Sequence, residues 1–226
     1  TLSFLIQRAI ASKLDVDPTE IDIVEVLAKT GKLGEVCLAD EKINGSGFVA
    51  DFYSNFEEYS RRILGGEDLY FKQMLSDQHI TECDSSCYKC LKTYRNMPYH
   101  GLLDWRLGIA LFRIMVDHSY KAGADGNFDY PELKGWKDLA RTLLAALNEG
   151  FFRKSDGQLV YELAETSNGI PYLYDHNNTK MPIFASHPLW EGVAETQILA
   201  DAVFEASMEQ GQDWNSDNVI TIDTFN

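Results

Sequence analysis

Apolar residues at helical spacing open the chain: Leu2, Leu5, Ile6, Ala9 and Ile10 recur every three to four positions, and the segment 15–18, closing on Pro18, ends the run. Two β-rich runs follow, IDIVEVL from Ile21 and EVCLAD from Glu35, and the turn between them, with Gly31 and Gly34, predicts a hairpin. After INGSG a second helix is expected, with Val49, Phe52, Tyr53, Phe56, Ile63 and Leu64 on one face. A third, short helix over about 67–78 leads into a cysteine-rich knot at 83–90, and long helices read over about 102–121 and 131–151. Pro131 suits a first helical position, with Asp129 nearby as a cap.

From Gly157 the pattern changes to short strand-like runs, QLVYEL, PYLYD and MPIFAS, parted by Asn168 with Gly169 and by Asn177 with Asn178. A helix over about 193–208 and a last strand, NVITIDTF, complete the chain. No internal repeat and no low-complexity tract is present. The order α-β-β-α-α, knot, α, then α-β-β-β-α-β predicts an α+β protein in two parts, 1–124 and 125–226, cut in the glycine-bearing segment 123–126.

Composition narrows the class. With 226 residues, 45% hydrophobic and 24% charged, the chain can bury a core and is neither disordered nor collagen-like. The longest apolar candidate, LLDWRLGIALFRIMV from Leu102, is broken by Asp104, Arg106 and Arg113, which speaks against a membrane span. The start lacks a basic n-region and a small-residue cleavage site, so a cytoplasmic location is expected, and both ends read as cut points of a longer polypeptide. Twenty basic against thirty-five acidic residues give a net charge of −15, unfavourable for phosphate backbones at long range. Over 86–113, however, Lys89, Lys92, Arg95, Arg106 and Arg113 face only Asp104, a local +4 that leaves −19 elsewhere.

Three of the four cysteines fall within eight residues, Cys83-Asp-Ser-Ser-Cys87-Tyr-Lys-Cys90. A C-x3-C-x2-C run puts three thiolates on one tight turn, which suits a tetrahedral metal with soft ligands at about 2.3 Å. A disulfide framework would call for dispersed, paired cysteines in a secreted chain; a redox pair at Cys87 and Cys90 lacks a thioredoxin-like setting; and haem attachment would require His where Leu91 stands. Structural Zn²⁺ is the favoured reading over redox chemistry or unliganded core thiols. The fourth ligand is expected to be His100, ten residues past Cys90, with Cys37 on the predicted hairpin as the alternative and His79 as a third choice.

The string CDSSCYKCLKTYRNMPYHGLLDWRLG (83–108), preceded by LADEKINGSGF (38–48), resembles the zinc-binding domain that follows the superfamily 2 motor in MrfA-type helicases, with relatives in DISARM-type phage-defence systems. The shared pattern is an opening helix, a D…NGxG(F/Y) segment, the cysteine knot, an Asn, a His and LDWRL. In this chain those positions are Asp40, Asn44, Gly45, Gly47, Phe48, the three cysteines, Asn96, His100, Leu103, Asp104, Trp105 and Arg106. The resemblance spans roughly residues 1–115. It implies an accessory zinc module of an ATP-dependent DNA helicase, with the motor and DNA as partners and roles in DNA repair or phage defence. MrfA-like members carry a further cysteine close to the position of Asn96, where this chain has none.

Other motifs add little chemistry. Gly45-Ser46-Gly47 before a helix is either an anion cradle or, in preference, a tight turn. No phosphate-binding loop is present, so any ATPase lies outside this chain. Asp104 and Trp105 read as a helix cap and an anchor. Residues 131–226 are similar in order of elements to PD-(D/E)xK nucleases. Asp175 ends the second strand run, but the third carries neither Glu nor Lys, so an inactive scaffold is expected. The leading expectation is a noncatalytic helicase module with a structural zinc knot and a nucleic-acid footprint at Lys89, Lys92, Arg95 and Arg106, with Tyr88 or Tyr94 as stacking faces. The alternatives are a metal-dependent nuclease using Asp175 and Glu162, and a protein-interaction domain without DNA contact.

Overall fold

The computed structural model describes residues 1–26, 35–42, 44–153 and 155–224, and divides the chain into two compact units, Thr1–Ser119 and Tyr120–Asn226. The division falls just before the 123–126 segment. Helices and two small sheets make the protein α+β. No helix among the described residues is long and apolar enough to cross a membrane.

In the first unit, α1 (Leu2–Leu14) buries Leu5, Ile6, Ala9 and Ile10 and stops at Asp15, whose left-handed backbone (φ 53°) turns the chain. β1 (Ile21–Val26) pairs antiparallel with β2 (Glu35–Asp40), Ile21 opposite Asp40; the expected turn at Gly31 and Gly34 lies outside the described residues.

The helix expected across 49–64 is two helices, α2 (Phe48–Ser54) and α3 (Phe56–Leu64). Asn55 breaks it: its side-chain amide donates to both the carbonyl and the carboxylate of Asp51 while its backbone leaves helical geometry. Phe52 then packs edge-on to Phe56 and Tyr59, and Tyr53 is left exposed. The helix expected at 67–78 is likewise divided, into α4 (Leu69–Met74) and α5 (Asp77–Glu82), each started by its own side-chain cap, Asp68 to the Tyr70 N–H and Ser76 to the His79 N–H. After the knot, 97–102 forms a 3-10 turn, and α6 (Trp105–Val116) begins only where Asp104 caps it. Gly108 lets α6 lie against α1, since a Cβ there would meet Thr1 Cγ2 at 2.9 Å and Leu5 at 3.8 Å. The core gathers Leu5, Ile10, Tyr59, Ile63, Phe71, Trp105 and Phe112, with Cys83 and Cys90 inside it and Cys87 packed against it.

In the second unit, α7 (Trp136–Phe151) starts five residues after Pro131, because Gly135 takes φ 73° and forms the entry turn. β3 (Glu162–Glu165), β4 (Pro171–Tyr174), β5 (Ile183–Ser186) and β6 (Ile220–Asp223) make a sheet in that order, with α8 (Gln197–Gln210) between β5 and β6 in the chain. The β3–β4 and β4–β5 pairs are antiparallel and β5–β6 is parallel. β4 and β5 are buried throughout, which is why their sequences run apolar without alternation. Trp136, Leu144, Tyr172, Phe184, Leu199 and Val203 fill this core.

Candidate metal centre

The site is built at the end of α5. His79 and Cys83 stand four positions apart, one turn of helix, so they share a face. The chain then bends through 84–90, where Cys90 and Lys92 both donate their backbone N–H to the carbonyl of Cys87. The turn brings four ligand atoms, from His79, Cys83, Cys87 and Cys90, within 4.8 Å of one another. Cys83 Sγ lies 3.9 Å from Cys90 Sγ, and Cys87 Sγ lies 3.5 Å from His79 Nε2. Cys90 is fully buried, Cys83 and His79 nearly so, and Cys87 partly exposed. These four side chains could bind a metal ion.

The electrostatics show what the arrangement asks for. The Cys83 thiol, then the His79 ring and the backbone N–H groups of Cys87 and Leu91, hydrogen-bond to Cys90 and favour its thiolate against the cost of burial, bringing its pKa down. The same hydrogen bond, with burial and the neighbouring sulfurs, pushes Cys83 far up. Three sulfurs this close cannot all ionise unless a cation sits among them.

The segment after the knot secures it. Asp104 caps α6 by accepting the Leu107 N–H at 2.9 Å, and burial raises its pKa to about 6. The Trp105 indole donates to the Cys83 carbonyl at 3.1 Å, and the Trp105 backbone N–H to Ser85 at 2.8 Å. Arg106, expected as a nucleic-acid contact, is instead buried: its guanidinium donates to the carbonyls of Cys83 (2.8 Å), Asp84 (2.6 Å) and Ile80 (2.9 Å) and lies against the Trp105 ring. It closes the open C-terminal carbonyls of α5, the end of a helix where a cation is favoured. Tyr70 hydroxyl donates to the Cys90 carbonyl from the other side.

His100 is not at the thiols. Its Nε2 donates to the Thr93 carbonyl at 2.9 Å and to Asn96 Oδ1 at 3.0 Å, while the Asn96 amide donates to the Leu91 carbonyl at 2.8 Å. Asn96 also accepts the Thr93 N–H at 2.8 Å. Asn96 and His100 therefore shape the loop that leaves the knot, and the imidazole near the sulfurs is His79. Cys37 is exposed on β2 and takes no part in the cluster. The sequence signal for His79, the third choice above, is its place four residues before Cys83, one turn back along α5.

The remaining expected residues lie on the surface of the same loop. Tyr88 and Tyr94 are 69% and 82% exposed, Lys92 is partly buried, Arg95 is exposed, and Lys89 pairs with Glu82 at 3.2 Å. The Gly45-Ser46-Gly47 turn is closed on an internal anion: Asp40 accepts the Gly47 N–H at 2.7 Å and the Val49 N–H at 3.1 Å. In the second unit the Asp175 carboxylate is taken up by its own turn, accepting from Asn177 and from both the N–H and hydroxyl of Thr179, which lowers its pKa. Glu162 pairs with His176 at 2.8 Å and accepts the Tyr174 hydroxyl at 3.0 Å. No protein-family model, curated protein or solved structure matches the chain.

Proposed function

We propose that the first unit is a structural zinc module that presents a basic, aromatic loop to nucleic acid, working as a noncatalytic accessory of an ATP-dependent DNA helicase motor. The observation that carries the metal is the spacing of the ligand atoms. A tetrahedral zinc with Zn–S of about 2.3 Å and Zn–N of about 2.0–2.1 Å sets two sulfurs about 3.8 Å apart and a sulfur and a nitrogen about 3.5 Å apart. The separations of 3.9 Å between Cys83 and Cys90 and 3.5 Å between Cys87 and His79 fit that geometry. Four protein ligands leave no open position for substrate or water, so the role of the ion is to hold structure.

What the ion would hold supports the rest of the reading. The knot, pinned from behind by Trp105 and Arg106, leads into 85–103, a stretch with Lys89, Lys92 and Arg95 and no acidic residue. Tyr88 and Tyr94 stand exposed among these charges, the combination that tracks a single strand by phosphate contacts and base stacking. The helicase motor and the DNA-repair or phage-defence setting rest on the resemblance of 83–108 and 38–48 to the MrfA-type domain. Noncatalytic action is favoured by the occupied Asp175 carboxylate and by a third strand, β5, without Glu or Lys.

Elemental analysis of the purified chain tests the metal. About one zinc per chain is expected, lost in His79→Ala and kept in His100→Ala. Zinc absent from protein purified without chelator, or lost only with His100, overturns the assignment.

A further inference from the structure

The three thiols of the metal centre differ in what can reach them. Cys83 keeps 4% of its surface and Cys90 none, whereas Cys87 stands partly exposed. Their sulfurs lie within 4.8 Å of one another, and the Cys87 backbone N–H donates to Cys90 Sγ at 3.0 Å. The buried sulfur of Cys90 therefore already rests against the backbone of the accessible residue. Closing these two sulfurs to the about 2.0 Å of a disulfide bond calls for a shift of side chains across one short turn.

We infer that the centre is a peroxide-sensitive switch, in which Cys87 is oxidised first, Cys90 closes a disulfide on it and the metal leaves; the inference rests on the zinc reading of the site. A metal-bound sulfur is a thiolate, the form that attacks an oxidant, and exposure decides which thiolate the oxidant meets. The Cys87 thiolate attacks a hydroperoxide, ROOH: an S–O bond forms, the O–O bond breaks, and RO⁻ takes a proton and departs as ROH. The resulting sulfenic sulfur is no longer a thiolate ligand. The Cys90 thiolate then attacks it, so that an S–S bond forms, the S–O bond breaks, and hydroxide takes a proton to become water. Two thiolates have lost two electrons in all, and the peroxide has been reduced to alcohol and water. His79 and Cys83 remain, half of a tetrahedral set. Because the 87–90 turn opens the basic loop, loss of the ion frees that loop from α5.

The test treats the zinc-loaded chain with hydrogen peroxide beside a zinc-responsive dye, in a Cys37→Ser background that removes the exposed cysteine outside the cluster. About one zinc per chain is expected to be released, and to return after reduction with dithiothreitol and addition of zinc. Dimedone, which traps sulfenic acids, should label Cys87 ahead of Cys83 and Cys90, and peptide mapping without dimedone should find Cys87 joined to Cys90. Backbone hydrogen exchange across 84–103 should rise on oxidation and fall again on reduction with zinc. Zinc retained under a large excess of peroxide, or released with dimedone on Cys83 or Cys90 in place of Cys87, overturns the switch and leaves the structural zinc centre standing. Unchanged exchange across 84–103 after release overturns the freeing of the loop. Protein that holds no zinc when purified without chelator overturns the switch and the zinc reading together.

Discussion

The guanidinium of Arg106 donates to the carbonyl oxygen of Cys83 at 2.8 Å, so the charge that follows the knot in sequence is used on the backbone of its first cysteine. Two further carbonyls, of Asp84 and Ile80, end on the same group. Only a planar fork with several donors reaches three acceptors at once, which lysine cannot reproduce. Arg106→Met is therefore expected to strip the Asp84 and Ile80 carbonyls of this donor, leave the Cys83 carbonyl to the Trp105 indole alone, and destabilise the first unit by about 2 kcal/mol, with Arg106→Lys recovering less than half. Urea unfolding followed at far-ultraviolet wavelengths, alongside zinc content, measures it; a variant as stable as the parent would show that the clamp carries no weight.

Metal removal should act on one unit. Cys83 and Cys90 lie inside the first core, which also contains Trp105, with Cys87 packed against it, and site formation and local folding are coupled when ligands come from a turn. Stripping zinc with a strong chelator is expected to unfold the first unit while Trp136, Trp190 and Trp214 in the second keep their native fluorescence. Loss of all tryptophan signals in one transition would instead mean that the two units depend on each other.

Sequence patterning reaches some of this and not the rest, for identifiable reasons. The β1–β2 pair and the order α7, β3, β4, β5, α8, β6 are legible because apolar runs and turn residues alternate cleanly there. The breaks at Asn55 and Ser76 are not, because each depends on a polar side chain bonding to nearby backbone, and such residues also sit on exposed helix faces. His100 looked available because it follows the knot in the chain. The 3-10 turn at 97–102 and the Asn96 amide hold it elsewhere. Arg106 looked like surface charge; its burial follows from the wide buried face of α6, where Trp105, Arg106, Ile109 and Ala110 all turn inward.

The exposed charges make a different prediction from the buried one. Lys89→Glu with Lys92→Glu removes two cations from the loop, where Lys89, three-quarters solvated, pairs with Glu82 at 3.2 Å and Lys92 is partly buried. Zinc content and folding should be unchanged, while single-strand binding weakens and the slope of log affinity against log salt falls by about 0.7 per lost contact. An unaltered slope would mean these lysines are a solvated face and the loop meets another protein.

The second unit carries a pH response of its own. His187 directly follows β5, 1% exposed, with ring centroids 6.3 Å from Trp136 and 6.1 Å from Trp190. Its Nδ1 accepts the Leu189 N–H at 3.2 Å, which requires the neutral ring, and burial lowers its pKa from 6.5 to about 4. The unfolded chain binds a proton at this residue before the folded one does, so between pH 6.5 and 4 the unfolded state holds more protons. The stabilisation is complete above the unfolded value and is lost as pH falls toward the folded one, by about 3 kcal/mol over the window. Urea midpoints read from tryptophan fluorescence at pH 7.5 and pH 5 should therefore drop on acidification in the parent chain. In His187→Gln the drop should shrink, with a lower midpoint at pH 7.5 from the lost packing. An equal drop in both proteins would place the acid sensitivity on other groups and leave His187 a packed ring without a titration role.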